Sequence, residues 1–362
     1  MKNSITSDIE THPPSSARQV ERVDMNVIYN NQDRVILDVR SPGEFQQGHI
    51  PGAKNLPLFS DEERAVVGTA YKQESPQKAM ELGLGIAGAK MNQYVETAHL
   101  LAPDKKVLVH CWRGGKRSES MGWLLNLCGM DVQVLNGGYK AFRQWGRSFR
   151  ERHPLKLIVI GAQTGSGKTK VLQALKKRGE QIIDLEALAS HKGSAFGSLG
   201  EKEQPSAEHF ENLLMQVYQV LNPEKRVFIE NESKKIGCCP LPDDFFTQMH
   251  QGFFMYYQIP ESARIQYLID DYAQFGVEPL KERFEKIKTK LGGDLYKKAL
   301  GALENHDFAE AARAALHFYD KTYQFGFERI DHSRKTQLVF NHANIEEIAD
   351  QLIFTANQLN IS

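Results

Sequence analysis

Two short stretches of this 362-residue chain bring together side chains able to do chemistry. The first is His110-Cys111-Trp112-Arg113-Gly114-Gly115-Lys116-Arg117-Ser118, a thiol followed closely by two glycines and three cations. Glycine lets the backbone turn tightly. A turn that feeds a helix aims successive N–H groups, and the positive end of the helix, at one point. In such a cradle Cys111 is favoured as a thiolate, with Arg113, Lys116 and Arg117 able to hold an anion above it. A thiolate beside a bound anion is a nucleophile toward a sulfur-group atom or phosphorus. A purely structural cysteine would not account for the paired glycines and the three cations.

The second stretch is Thr164-Gly165-Ser166-Gly167-Lys168-Thr169, which resembles a P-loop. Its backbone amides would wrap a diphosphate, Lys168 would neutralise it, and the Thr169 hydroxyl could ligate Mg²⁺. The consensus expects glycine at position 162, where this chain has Ala162, with Gly161 one step early. Asp184 and Glu230 end expected strands, where open parallel sheets place ligand-binding residues. Either could hold Mg²⁺ or orient a water. The plain alternative is an acid that caps the next turn, and for Glu232 that alternative weighs at least as much.

The surrounding pattern supplies a scaffold for both stretches. Short apolar runs at Arg34–Asp38, Lys106–His110 and Val132–Leu135 read as strands, with a helix from Ser118 to Leu127 leaving the cysteine loop. The pattern restarts with strands at Leu155–Ile160, Gln181–Asp184 and Arg226–Glu230 and a helix over Val171–Arg178. Strands alternating with helices predict parallel α/β sheets. From about residue 261 the spacing is mostly helical. The expected organisation is a polar tail at 1–19, a first α/β module at 20–145, and a second at 146–362 with a helical extension.

Composition narrows the class further. Forty-five Lys and Arg balance 45 Asp and Glu, and 41% of residues are hydrophobic, as in ordinary globular chains. No apolar run approaches the ~20 residues of a membrane span, and the opening residues lack a secretory h-region. The four cysteines have neither a CxxC pair nor a disulfide framework, and Cys238-Cys239 lacks partners at zinc-ligand spacing, so no metal cluster is expected. Cys128 reads as helix core, and Phe318, Tyr319, Tyr323, Phe325 and Phe327 as helix core rather than a base-stacking platform. A cytoplasmic protein with reduced thiols and no membrane association follows. Charge is uneven, however: from Lys140 to Arg178 eleven basic residues face one acid, Glu151. Lys140, Arg143, Arg147 and Arg150 in this run are candidate contacts for the backbone of a polyanion, with a solvated helix face as the plain alternative.

The strings Leu37-Asp-Val-Arg-Ser-Pro-Gly-Glu-Phe45, Gly48-His-Ile-Pro-Gly-Ala53 and Val134-Leu-Asn-Gly-Gly138 resemble the two end signatures of a rhodanese domain. The usual rhodanese loop encloses four residues between Cys and Arg, whereas Cys111 and Arg117 enclose five. Five is also the spacing of cysteine phosphatases, and the larger loop suits a phosphate-bearing donor. A rhodanese domain ahead of a P-loop domain is an uncommon order. Together with Glu63–Gln73 and Asp184–Gly197, it resembles the bacterial tRNA 2-selenouridine synthase family over nearly the whole chain. That family usually carries Met where this chain has Lys116.

The resemblance implies a transferase acting on the wobble 2-thiouridine of tRNAs for Lys, Glu and Gln. Geranyl diphosphate would S-geranylate the base, and selenium from selenophosphate would then replace the geranylthio group. It further implies Cys111 as nucleophile or selenium carrier, Mg²⁺ as a helper ion, no tightly bound cofactor, and a selenophosphate-supplying enzyme as partner. The alternative is a rhodanese-type sulfurtransferase or cysteine phosphatase with a nucleotide-binding P-loop module.

Overall fold

The apolar runs at Lys106–His110, Val132–Leu135, Leu155–Ile160 and Arg226–Glu230 become strands buried on both faces, as parallel sheets require, whereas those at Arg34–Asp38 and Gln181–Asp184 are partly buried. The computed structural model describes residues 20–26, 33–328 and 332–361. The tail at 1–19 and the side chains of Tyr323, Phe325 and Phe327 lie outside the described residues. The chain divides into two units, Met1–Trp145 and Gly146–Ser362.

In the first unit, strands β1 (Glu21–Val23), β2 (Val35–Asp38), β3 (Lys54–Asn55), β4 (Lys106–His110) and β5 (Asp131–Leu135) form a parallel sheet in the order β1-β5-β4-β2-β3. Its helices are α1 (Pro42–Gln47), α2 (Asp61–Gln73), α3 (Pro76–Gly88), α4 (Met91–Leu101) and α5 (Lys116–Leu127), and α6 (Gly138–Arg152) runs across the boundary at Trp145 into the second unit. Serine caps start two of them: Ser60 accepts from the Glu63 N–H and Ser75 from the Lys78 N–H. Leu37, Val109, Leu125 and Val134 pack on one sheet face, and Leu108, Leu135, Tyr139 and Phe142 on the other. Cys128 departs from expectation. It lies just past the last residue of α5 and is exposed, because the helix ends before its apolar face can bury it.

The second unit starts with β6 (Lys156–Ala162), α7 (Lys168–Lys177), β7 (Gln181–Ile183), α8 (Leu185–Ala189), α9 (Ala207–Tyr218) and β8 (Arg226–Glu230). A small antiparallel hairpin of β9 (Lys235–Ile236) and β10 (Cys239–Pro240) follows, then α10 (Asp243–Gln251) and β11 (Phe253–Gln258). Four helices come next: α11 (Glu261–Tyr272), α12 (Val277–Leu291), α13 (Gly293–Glu304) and α14 (Phe308–Glu328). They build a core of their own around Phe284, Ile287, Leu303 and Ala311. The stretch after residue 261 is not helical throughout. Strand β12 (Lys335–Val339) returns to pair with β11, and α15 (Ile345–Gln358) packs Ile348 and Leu352 beside Val171 and Leu175 of α7. The parallel sheet order is β12-β11-β6-β8-β7. Among the described residues, no helix is long and apolar enough to cross a membrane.

Candidate functional site

Strand β4 ends at His110, and the chain turns through Cys111–Gly115 into α5. The turn packs backbone against backbone on the segment that follows β5. Tyr139 N–H donates to the Cys111 carbonyl and Lys140 N–H to the Trp112 carbonyl, both at 2.9 Å. Only glycine fits so close an approach. Gly138 sits at φ +58°, and a Cβ there would fall 2.2 Å from the Cys111 oxygen. Gly114 at φ +64° would place a Cβ 2.5 Å from the Leu135 oxygen. The Cys111 thiol is buried, and its Sγ lies 3.3 Å from the hydroxyl of Ser118 in the first turn of α5. It therefore sits at the positive end of that helix.

A buried polar base supports the loop. Asp38 and Arg40 are ion-paired at 2.6 Å, Arg40 also donates to the Gly48 carbonyl, and its guanidinium lies 3.9 Å from the Tyr139 ring centre. Burial pushes the imidazole of neighbouring His110 toward its neutral form. Of the expected cations, Arg113 and Lys116 are exposed. Arg117 is paired with Glu44 at 2.7 Å, and Arg64 approaches the same carboxylate at 3.6 Å. Burial works against ionisation of Glu44, yet Arg117 holds its carboxyl below the usual range. An anion placed at this loop would have to compete with Glu44 for Arg117.

The second site stands at the end of β6. Ala162 is still part of the strand and fully buried, which accommodates the departure from the glycine consensus. Gly165 and Gly167 adopt φ +76° and +72°, so the loop takes the left-handed turns that its glycines permit. Two side chains pin it from behind: the Tyr257 hydroxyl donates to the Ser166 carbonyl at 2.8 Å, and Arg264 Nε to the Thr164 carbonyl at 2.9 Å. The Ser166 hydroxyl is buried with no partner among the described residues.

Acids crowd behind the loop. The Thr169 hydroxyl donates to Glu186 at 2.8 Å, and the Glu186 N–H donates to Glu230 at 2.8 Å. Glu230 Oε2 has no partner among the described residues, and burial raises that carboxyl well above its usual range. Burial also pushes Glu232 up to about 7, while the Lys168 charge pulls the other way. Sequence reasoning missed Glu186, whose contact with Thr169 depends on how β7 lies in the sheet. Asp184 does something else: its two carboxylate oxygens accept from the Ala187 N–H and from the Gln173 amide, so it caps α8.

The loop opens onto a cavity of about 160 Å³. Its polar end is Thr164–Thr169 with Glu186, Lys192 and Ser194, so part of the His191–Ser194 segment faces the phosphate loop. Its other walls come from α11–α14 and include Leu268, Phe284, Leu303 and Ala315. Tyr319 also lines it, and its hydroxyl accepts from the Ala195 N–H.

Both units of the chain match known families. The family profile described as the tRNA 2-selenouridine synthase AAA domain matches residues 155–352, and the rhodanese-like domain profile matches residues 24–145. A tRNA 2-selenouridine synthase of Nitrosomonas europaea is 34% identical over 312 residues, covering 75% of this chain and 80% of the relative. One from a Sulfurovum species is 32% identical over 341 residues, covering 84% and 91%. One from Pseudomonas fluorescens is 34% identical over 306 residues, covering 78% and 82%. The chain belongs to the tRNA 2-selenouridine synthase family.

Within this family member, the basic helix α6 is less uniform than its sequence suggests. Lys140 and Arg147 are exposed, and Arg143 is half-buried. Arg147 lies 3.6 Å from Glu211. Arg150 leaves the set of candidate polyanion contacts: it is 4% exposed and its guanidinium is held by Asp244 at 2.8 Å and Glu211 at 3.1 Å. Arg178, at the far end of the basic run, is likewise paired with Glu346 and Asp350. Arg147, Arg150 and Arg178 of this run are thus paired with acids distant in sequence.

Proposed function

We propose that this protein is a tRNA-modifying transferase that converts wobble 2-thiouridine to 2-selenouridine in tRNAs for Lys, Glu and Gln, through an S-geranyl intermediate. The observation that carries the reading is the cavity. One end is a phosphate loop flanked by Glu186, Lys192 and Ser194, and most of the remaining lining is alkyl and aromatic, the shape of a diphosphate joined to a hydrocarbon. Burying that hydrocarbon contributes about 0.8 kcal/mol per methylene. A nucleotide in the same space would leave its ribose hydroxyls against Leu and Phe side chains, which disfavours the nucleotide-binding alternative.

In the first half-reaction the thiocarbonyl sulfur attacks the carbon bearing the diphosphate, forming the C–S bond as the C–O bond breaks, and the base N3 proton is lost to solvent. Loop amides at Thr164–Gly167 and the Lys168 ammonium stabilise the charge that builds on the leaving diphosphate. Thr169, Glu186 and Glu230 offer hydroxyl and carboxylate oxygens, the donor set that suits Mg²⁺, and the unpartnered Glu230 oxygen fits the same need. Among the described residues no group of three or more His, Cys, Asp or Glu is assembled as a metal site. Mg²⁺ carried on the diphosphate would supply further charge neutralisation there.

In the second half-reaction selenophosphate docks on the Cys111 loop, with Arg113, Lys116 and Arg117 around it and Trp112, Gly114, Gly115 and Ser118 shaping the turn. The selenium of selenophosphate then bonds to the base carbon that carries the geranylthio group, the C–S bond breaks with geranylthiol leaving, and water cleaves the Se–P bond to release phosphate. Lys140, Arg143 and Arg147 contact the tRNA backbone, and a selenophosphate-supplying enzyme provides the donor. Nucleoside mass analysis of 2-thiouridine tRNA, incubated with the protein, Mg²⁺, geranyl diphosphate and then selenophosphate, tests this. A geranyl adduct followed by sulfur-for-selenium exchange is expected. An unmodified nucleoside throughout would contradict it.

A further inference from the structure

We propose that the apolar end of the phosphate-loop cavity is a length gauge for the hydrocarbon of its diphosphate substrate, held open by Ala311 and Ala315 and closed by Leu303 and Phe284. The inference rests on the prenyl diphosphate reading above. It starts from an asymmetry in the walls. Helix α14 presents Ala311, Ala312 and Ala315 to the cavity, whereas α12 and α13 present Leu280, Phe284 and Leu303. Residues three and four apart share one helix face, so the alanines form a single shallow wall.

The α12–α13 wall cannot easily retreat. Leu303 is fully buried, and Phe284 is packed edge-on against Phe196 with ring centres 5.1 Å apart. The polar end is equally fixed, because the buried Tyr257 hydroxyl donates to the Ser166 carbonyl of the phosphate loop at 2.8 Å. One side chain ties the two ends together. Arg264 donates through Nε to the Thr164 carbonyl of the phosphate loop and through Nη2 to Asp320 of α14 at 2.6 Å. The helix that carries the alanines is thereby held at a set distance from the group that anchors the diphosphate. A pinned head and a closed apolar end together admit one hydrocarbon length best.

A single methylene in an apolar pocket is worth about 10–200-fold in discrimination, so altering the space by a branched side chain should change the preferred isoprenoid. The test measures kcat/KM for thiouridine alkylation with dimethylallyl, geranyl and farnesyl diphosphates, on the full-length wild type, Ala315→Leu and Leu303→Ala. The wild type should favour geranyl. Ala315→Leu should move the dimethylallyl-to-geranyl ratio upward at least about tenfold, and Leu303→Ala should move the farnesyl-to-geranyl ratio upward by a similar factor. Circular dichroism and binding of inorganic diphosphate report whether each variant is folded with an intact loop. Should one variant fail to fold, Ala311→Val and Phe284→Leu repeat the filling and trimming arms. Folded variants whose chain-length ratios stay within about twofold of wild type would overturn the gauge while leaving geranyl transfer standing. A wild type that alkylates with none of the three would overturn the prenyl reading and the gauge with it.

Discussion

The two anion loops of this chain are built alike and end differently. Both leave a buried parallel strand, turn through glycines at positive φ, and enter a helix by its N-terminus. At Cys111 the loop is pressed against the glycine turn before α6 and backed by the buried Asp38–Arg40 pair, so what it offers is one thiol in a tight polar cradle. At Lys168 the equivalent turn opens into a cavity walled by an inserted helical layer. On the proposed reading the backbone nest holds an anion in both, and what lies beyond the nest decides whether that anion would carry a transferable atom or a hydrocarbon tail.

This comparison can be broken by variants that act on one loop alone. The largest effect is expected from Lys168→Ala, which should slow geranylation by about 10²–10³-fold, as losing one strong charge-stabilising group typically does. Steady-state alkylation rates check it. Gly138→Ala should cripple selenium transfer while sparing geranylation, because its Cβ would collide with the Cys111 carbonyl at a φ that favours glycine. The strain should also lower stability of the first unit by about 1–3 kcal/mol, measurable by denaturant titration. Reversing Lys140, Arg143 and Arg147 together to Glu should weaken tRNA binding and flatten its salt dependence. The log–log slope should fall by roughly 0.7–0.9 for each phosphate that is no longer neutralised. Filter binding across ionic strength reads this out. An unchanged slope would remove α6 from the tRNA surface.

The smallest effect concerns Glu232. Its folded carboxyl, raised to about 7 from 4.5, favours the protonated form, so the stability it contributes is present below about pH 4.5 and is lost as pH rises through 7. Glu232→Gln should therefore melt higher than wild type at pH 8 and show little difference at pH 4.5. Equal melting curves at both pH values would show that Glu232 does not hold a proton in the folded state.

Local signals in the sequence were enough to find both loops, because strand, glycine turn and helix are contiguous in each. Long-range features escaped. Arg150 reads as a free cation beside Arg147, yet its partners Asp244 and Glu211 are 94 and 61 residues away. Glu186 hides two positions past Asp184, and only the packing of α8 behind the phosphate loop brings it to Thr169. Strand β12 is short, and its Lys-Thr-Gln-Leu-Val run follows a long helical segment, so nothing local separates it from more helix. The apolar cavity arises where four helices meet and leaves no linear pattern at all.

The central claim is that each loop serves its own half-reaction. The most direct measurement supplies S-geranylated tRNA and selenophosphate to Lys168→Ala, and 2-thiouridine tRNA with geranyl diphosphate to Cys111→Ala, with nucleoside mass analysis of both. Lys168→Ala should form selenouridine at close to the wild-type rate, and Cys111→Ala should accumulate the geranyl adduct and stop there. Loss of both steps in either folded variant would contradict the division of labour between the two loops.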